Sequence, residues 1–326
     1  MHGKPAGRGR ARVVHLLPGL WAGSGEGIGV PPAVQRLGRW LGRAREAAKP
    51  PAGAGQGWET ALAERLGYRQ PGSGPRSWLA QPVSLTAGMT DLVAHPVSGI
   101  GMDEREALWA AAQPDLEAAG ARLGLSAHGL WLLELDGADA WDGLPPSVGC
   151  GAPMTARPLA GDVARRLQVL ANALQMAWFQ HPVNRQREQA GQAPVQGLWF
   201  WSPGRPQERP AVGRVCGGGP VARWLAEEAG VAWSPDPADA ARAAGVDGDT
   251  AVVMEALAAP PTPERRVELL ESLAEEVLAP QLRALWRGRL GALEFVDPQT
   301  AGEGVPGPLR LRRGDLLALW RRPRRP

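Results

Sequence analysis

The sequence predicts an α/β protein built on a mainly parallel sheet with helices on both faces, plus a small β-β-α-β lobe. Three observations point there. Four short runs, at residues 11–17, 195–201, 212–216 and 251–257, are almost continuously apolar, the mark of strands covered on both faces. Between them lie stretches with apolar residues at helical spacing, so strands and helices alternate. The 43 glycines and 32 prolines punctuate these stretches and supply many loops.

From the N-terminus, ARVVHLL (11–17) reads as a buried strand that stops at Pro18-Gly19, and a glycine-rich loop follows to Val30. Residues 31–48 read as a helix, with proline at its start and Val34, Leu37, Trp40 and Leu41 at helical spacing. KPPAGAGQG (49–57) is a linker or loop, and 58–66 is a second helix with Gly67 just past its end. Short strands near 81–86 and 91–95, joined by Ala87-Gly88, a helix over 103–123 kinked at Pro114, and the strand GLWLLEL (129–135) make the β-β-α-β unit. The Gly- and Pro-rich stretch 136–158 is a connection.

Residues 162–180 form the clearest helix. Asp162 is its N-cap, and Val163, Leu167, Leu170, Leu174 and Trp178 form its apolar stripe. Pro182 stops it, and Asn184 caps a short helix ending at Gly191. Strands at 195–201 and 212–216, a helix at 219–229, a strand at 251–257 and a long helix at 262–287, broken at Pro280, follow. Strands at 291–296 and 308–312 pair around a glycine loop, and 314–320 is a terminal helix.

Composition excludes several chemistries. Two cysteines, Cys150 and Cys216, cannot build a disulfide framework or a four-thiolate zinc site. Of the five histidines (His2, His15, His95, His128 and His181), no two lie within five residues, and none follows His181. That leaves no helical H-x-x-x-H pair. Both lysines, Lys4 and Lys49, fall in Pro/Gly-rich stretches, which argues against Schiff-base chemistry. No apolar run reaches the ~18–20 residues of a membrane span. With no signal-peptide core after the basic N-terminus, a cytoplasmic protein is expected. The net charge of +3 hides an asymmetry: residues 1–12 carry +4, 310–326 carry +6, and the body carries −7. The basic ends read as solubilising arms, with contact to nucleic acid as the other reading.

The motifs are weak one by one. Gly23, Gly25, Gly27 and Gly29 lie where a phosphate loop would, but their spacing is G-x-G-x-G-x-G and no Walker Lys-Ser/Thr is present. No G-x-S-x-G occurs, and either cysteine with His181 would be a nucleophile pair that the chain order does not favour over a buried thiol. The sharpest segment is His181-Pro182-Val183-Asn184, with Arg187 and Gly191, running into Val195 and Leu198-Trp199-Phe200-Trp201. A capped helix start beside Arg187, with His181 as a further donor when protonated, suits a carboxylate or phosphate. The alternative is that Asn184 caps, Gly191 terminates, His181 satisfies a backbone group and Arg187 pairs with an internal carboxylate.

This H-P-V-N-x-x-R-x-x-x-G-x-x-P-V segment, followed by L-W-x-W, resembles the bacterial RpfE-type regulatory proteins, often labelled phosphoglycerate mutase-like. Arg166-Leu167, Gln175-Met176 and the C-terminal Leu309-Arg310-Leu311-Arg312-Arg313 fit the same pattern, in which Gln196 stands where an Asn is usual and Ser202-Pro203-Gly204 where a glycine run is usual. More distantly the chain resembles the archaeal-type cofactor-independent phosphoglycerate mutases of the alkaline phosphatase superfamily. That resemblance implies a truncated alkaline-phosphatase-like core. It also implies a metal-binding Asp at the end of the first strand, where this chain has Leu17-Pro18-Gly19, and a nucleophile at the position of Trp58 in Trp58-Glu59-Thr60-Ala61. The His and Asp ligands of two metals belong in the C-terminal half, which here has no His.

The resulting expectation is a basic arm (1–10), a discontinuous α/β core (11–77 and 159–320), a small lobe (78–136), a connection (137–158) and an Arg-rich tail (321–326). The function expected is that of a catalytically degenerate regulatory protein. It would bind a small anionic ligand at His181, Asn184 and Arg187, or a protein partner, with Trp58 at a degenerate nucleophile position. No catalytic residue, metal or cofactor is assigned, and neither nucleic acid nor a membrane is the expected partner. The alternatives are a metal-dependent phosphoryl-transfer enzyme and a nucleic-acid-associated protein.

Overall fold

The computed structural model describes residues 10–20, 32–46, 56–69, 76–88, 91–136, 143–151, 161–242, 248–258, 262–299 and 308–317. The glycine loop 23–29, nearly all of the basic arm, the Arg-rich tail and most of the connection lie outside these residues. The chain divides into two compact units, 1–67 with 208–326, and 68–207. No helix among the described residues is long and apolar enough to cross a membrane.

Strands are numbered in chain order. The first unit is built on a seven-stranded sheet. Its parallel part runs β11 (Ala232–Ser234), β10 (Arg214–Gly217), β12 (Thr250–Val253), β1 (Arg12–Leu16) and β13 (Ala292–Val296). β14 (Leu309–Leu311) and β2 (Arg45–Glu46) extend it antiparallel. β1 is central: Val13 sits opposite Thr250 on one side and Leu293 on the other. Val13, Leu17, Val252, Leu293 and Phe295 share one core with Leu37, Leu278 and Leu285 from the helices that cover that face. Val14, Leu16, Ala251 and Val253 alternate with them and are also buried. Helices Gly57–Arg65 and Gly219–Glu228 pack on each other and against β1 and β10. The expected parallel sheet with helices on both faces is present.

The one polar side chain in the middle of β1, His15, is fully buried. Its Nε2 lies 2.7 Å from Gln281 Oε1, itself buried, and its ring stacks on Phe295. Burial pushes the imidazole pKa down to about 4. Gln281 is delivered by an unusual helix. The long helix does not break at Pro280: Pro263–Ser272 passes through a π-helical stretch, Leu273–Leu278, into Ala279–Trp286. The wider turn accommodates a proline that has no N–H to give to the carbonyl four residues back.

The second unit is organised by β4 (Arg76–Ala87), a 12-residue strand. It pairs antiparallel with β7 (Trp131–Leu135) through 76–79, with β8 (Gly197–Trp201) through 79–83 and with β5 (Leu92–Pro96) through 83–87. β6 (Ala121–Leu125) pairs with β7, and β3 (Tyr68–Arg69) with β9 (Arg205–Pro206). Helices Met102–Ala119 and Asp162–Phe179 pack on each other over this sheet. The core holds Trp78, Trp131 and Trp178, with Trp178 donating from its indole to Leu108 O at 2.8 Å.

Several expectations are corrected here. The apolar run 195–201 is not in the parallel sheet; it supplies β8, antiparallel to β4. Helix Asp162–Phe179 and the segment after it belong to the compact unit 68–207. Gly161 is the N-cap, and Asp162 occupies the first turn. Pro114 leaves its helix unbroken, and that helix ends at Ala119 because Gly120, at φ +63°, takes a left-handed C-cap. Residues 121–123, read as the end of the helix, belong to β6.

A neutral His15 in the folded chain and an ordinary one in the unfolded chain make stability pH-dependent. The unfolded chain binds the extra proton between pH 6.5 and 4, so stability is complete above about 6.5 and falls by up to about 3 kcal/mol as pH drops to about 4. Urea unfolding measured from pH 7.5 to 4 should show this slope, and His15→Leu should flatten it. Equal slopes in parent and variant would exclude His15 as its source.

Candidate functional site

The segment singled out in the sequence folds as a junction in the second unit. Helix Asp162–Phe179 ends, Pro182 opens the helix Pro182–Gln189, and the chain returns to enter β8. The cap of the short helix is His181, not Asn184: its Nδ1 accepts from Val183 N at 3.3 Å. With Pro182 at the first helical position, the helix starts three residues ahead of the expected one.

Asn184 is buried and does something else. Its Nδ2 donates to Trp178 O and Val195 O, both at 2.8 Å, and its Oδ1 accepts from Val195 N at 2.7 Å. One amide thus ties together the end of the long helix, the short helix and the approach to β8. Arg187 is only 3% exposed along its side chain. Its Nε donates to Ala193 O at 2.8 Å and its Nη1 to Glu104 Oε2 at 2.8 Å. Glu104 Oε2 also accepts from Gly101 N at 2.7 Å, the N-cap of helix Met102–Ala119. Gln196 joins the same construction, its Oε1 accepting from Leu85 N of β4 at 2.7 Å.

The structure therefore brings His181, Asn184 and Arg187 together, but with their polar atoms turned to protein groups. The Arg187 guanidinium is enclosed and paired with a carboxylate and a carbonyl, so the contacts of Asn184 and Arg187 form an internal clamp. A cationic His181 is disfavoured as well. Its pKa is lowered by burial and by neighbouring Arg185, and its Nδ1 acts as an acceptor.

A second candidate site is the carboxyl edge of the parallel sheet in the first unit, where open α/β sheets bind ligands. After β1 the chain turns at Gly19, φ +68°. Asp297, just past β13, accepts from Gly19 N at 2.9 Å and from Gln299 N at 3.0 Å. Arg266 donates to Gly19 O and reaches Leu20 O, and burial lowers its pKa. Helix Gly57–Arg65 begins at the same edge, with Gly57 N donating to Pro298 O at 3.1 Å. Trp58 and Glu59 in its first turn are 4% and 3% exposed.

After β10, Gly217, Gly218 and Gly219 all have positive φ. A Cβ on Gly219 would fall 2.5 Å from Glu255 Oε1, so the start of helix Gly219–Glu228 closes directly on that carboxyl group. Burial raises the Glu255 pKa. Cys216, at the end of β10, is buried, and its thiol is pushed up to about 11, which keeps it protonated at neutral pH.

Asp297, Arg266, Glu255 and the Gly217–Gly219 turn were not picked out in the sequence. Two signals were available: Asp297-Pro298 follows an apolar strand directly, and a glycine triplet followed by Pro220 stands between a strand and a helix. Among the described residues, no group of three or more His, Cys, Asp or Glu side chains could hold a metal ion.

No family model and no curated protein matches the chain. Two solved structures are similar at low identity. One is a cofactor-independent phosphoglycerate mutase from Thermoplasma acidophilum, 17% identical at a TM-score of 0.39, covering 94% of this chain and 90% of its own. The other is a protein from Pyrococcus horikoshii, 12% identical at a TM-score of 0.42, covering 93% of this chain and 86% of its own.

The clamp makes a direct prediction. Asn184→Ala leaves Trp178 O and both polar groups of Val195 buried without this partner, and should cost about 3 kcal/mol. Arg187→Ala should cost a similar amount, about 3 kcal/mol, by leaving Ala193 O without its donor and Glu104 without its cation. Phosphate or citrate should not raise the melting temperature of the parent through these residues. A near-normal melting temperature for Arg187→Ala, with loss of an anion-induced stabilisation, would restore the binding reading.

Proposed function

We propose that this chain is a phosphoglycerate mutase-like protein that has lost catalysis and serves as a regulatory, ligand-binding protein of the RpfE type. The observation that carries the reading is the seat of Trp58. The resemblance places a phosphoryl-accepting nucleophile at this position. Here a buried indole occupies the first turn of a helix that starts at the sheet's carboxyl edge. An indole has no oxygen to accept a phosphoryl group, and two-metal transfer needs nucleophile and metals together.

The neighbouring groups support the same reading. The Asp297 carboxylate holds the turn at Gly19, and Arg266 holds the carbonyls of that turn. Glu255 lies against the start of a helix, in surroundings that favour its neutral form. These side chains close the edge of the sheet. The H-P-V-N segment, which carries the resemblance most specifically, acts as the clamp described above and so fits a scaffold role.

The test is a mutase and phosphatase assay of the full chain with added Mn²⁺, Mg²⁺ or Zn²⁺, alongside metal analysis of the purified protein. The reading expects no interconversion of phosphoglycerates and no stoichiometric divalent metal. Turnover that is lost on chelation and restored by Mn²⁺ would overturn it in favour of a metal-dependent phosphoryl-transfer enzyme.

A further inference from the structure

We propose that the groove beside helix Ala279–Trp286 binds an anionic amphiphile, a carboxylate head carried on an apolar body. The groove encloses about 430 Å³, within the size range of small-molecule sites. Trp40, Leu282, Trp286 and Leu316 line it, with Arg283 and Arg287 beside them. Trp286 is 49% exposed, a large apolar side chain only half covered. Arg283 and Arg287 stand one helical turn apart on the face that carries Leu282 and Trp286.

The charge is one-sided. Arg12, Arg36, Arg45, Arg223 and Arg310 each pair with a carboxylate. The side chains of Arg283 and Arg287 make no hydrogen bond or ion pair within the described residues, and no acidic side chain among those residues lines the groove. The dipole of the helix accounts for cations in its last turn, but not for an open apolar groove next to them. The π-helical stretch Leu273–Leu278 leads straight into this helix, and such stretches occur often at functional sites.

An apolar body on the indoles, with one anionic head on the paired guanidiniums, satisfies both halves of the groove. A nucleic acid strand satisfies them less well, since it would lay a charged phosphate per nucleotide across the apolar lining. The inference deepens the ligand-binding reading by naming a ligand class. The groove shares no residue with the carboxyl edge, so mutase turnover would leave this proposal standing, and failed binding would leave the non-catalytic reading standing.

The experiment is calorimetric titration of the full chain with decanoate below its micellar concentration. Saturable one-site binding is expected, weaker by about tenfold or more for decylammonium, for the Arg283→Gln/Arg287→Gln double variant and for Trp286→Ala. These side chains are exposed, so unchanged melting temperatures should confirm that the variants fold. The proposal falls if decanoate gives no saturable binding, if decylammonium binds equally well, or if the variants bind like the parent. It also falls if oligothymidylate or anionic vesicles bind at the groove and decanoate does not displace them.

Discussion

The unit formed by 1–67 and 208–326 hangs on the parallel pairing of β1 with β12 on one side and β13 on the other. Parallel pairing sends the ends of all these strands to one edge, and burial of β1 on both faces demands helices above and below. Everything at the edge then has to be finished by side chains and helix starts. The turn at Gly19 takes its partners from Asp297 and Arg266. The helix carrying Trp58 begins on Pro298, and the Gly217–Gly219 turn closes on Glu255. The same constraint places His15 inside, where Gln281 and Phe295 receive it.

The second unit meets a different constraint with similar means. β4 is long enough to pair with three strands in succession, so the chain must return to it from three directions. The last return, into β8, is fixed by Asn184, Arg187 and Gln196, whose side chains reach the backbone of Val195, Ala193 and Leu85. Polar groups enclosed in this way hold a junction in one geometry, because each backbone group they satisfy would be costly to leave without a partner. At the junction and at the sheet edge, the enclosed polar side chains take their partners from the protein itself.

Much of the architecture was legible in the sequence. The runs 11–17 and 251–257 announce buried parallel strands because neither face needs a polar residue, although the second strand ends at Val253 and 255–257 turn into a 3-10 helix; the pairing of β4 with β5 around Ala87-Gly88 is legible in the same way. The run 195–201 has the same continuous apolar character and was misplaced. Covered on both faces, it is indistinguishable by pattern from a strand of the parallel sheet, and only its partner, β4, assigns it. Asn184 was misread because Asn before a polar helix is the usual cap signal, while Pro182 two residues earlier sets the helix start. The role of Arg187 depends on Glu104, 83 residues away, and no local pattern carries that information. The edge residues Asp297, Arg266 and Glu255 come from three distant stretches and become neighbours only through the sheet.

The proposal that the carboxyl edge no longer serves a catalytic metal is tested most directly by thermal denaturation of the full chain across a Mn²⁺ titration. A ligand that binds only the folded chain stabilises it by about 2.7 kcal/mol at a hundredfold excess over its dissociation constant. The account predicts a melting temperature that does not move with Mn²⁺. A saturable rise that disappears in Asp297→Asn, which keeps an acceptor for Gly19 but removes the charge, would contradict it.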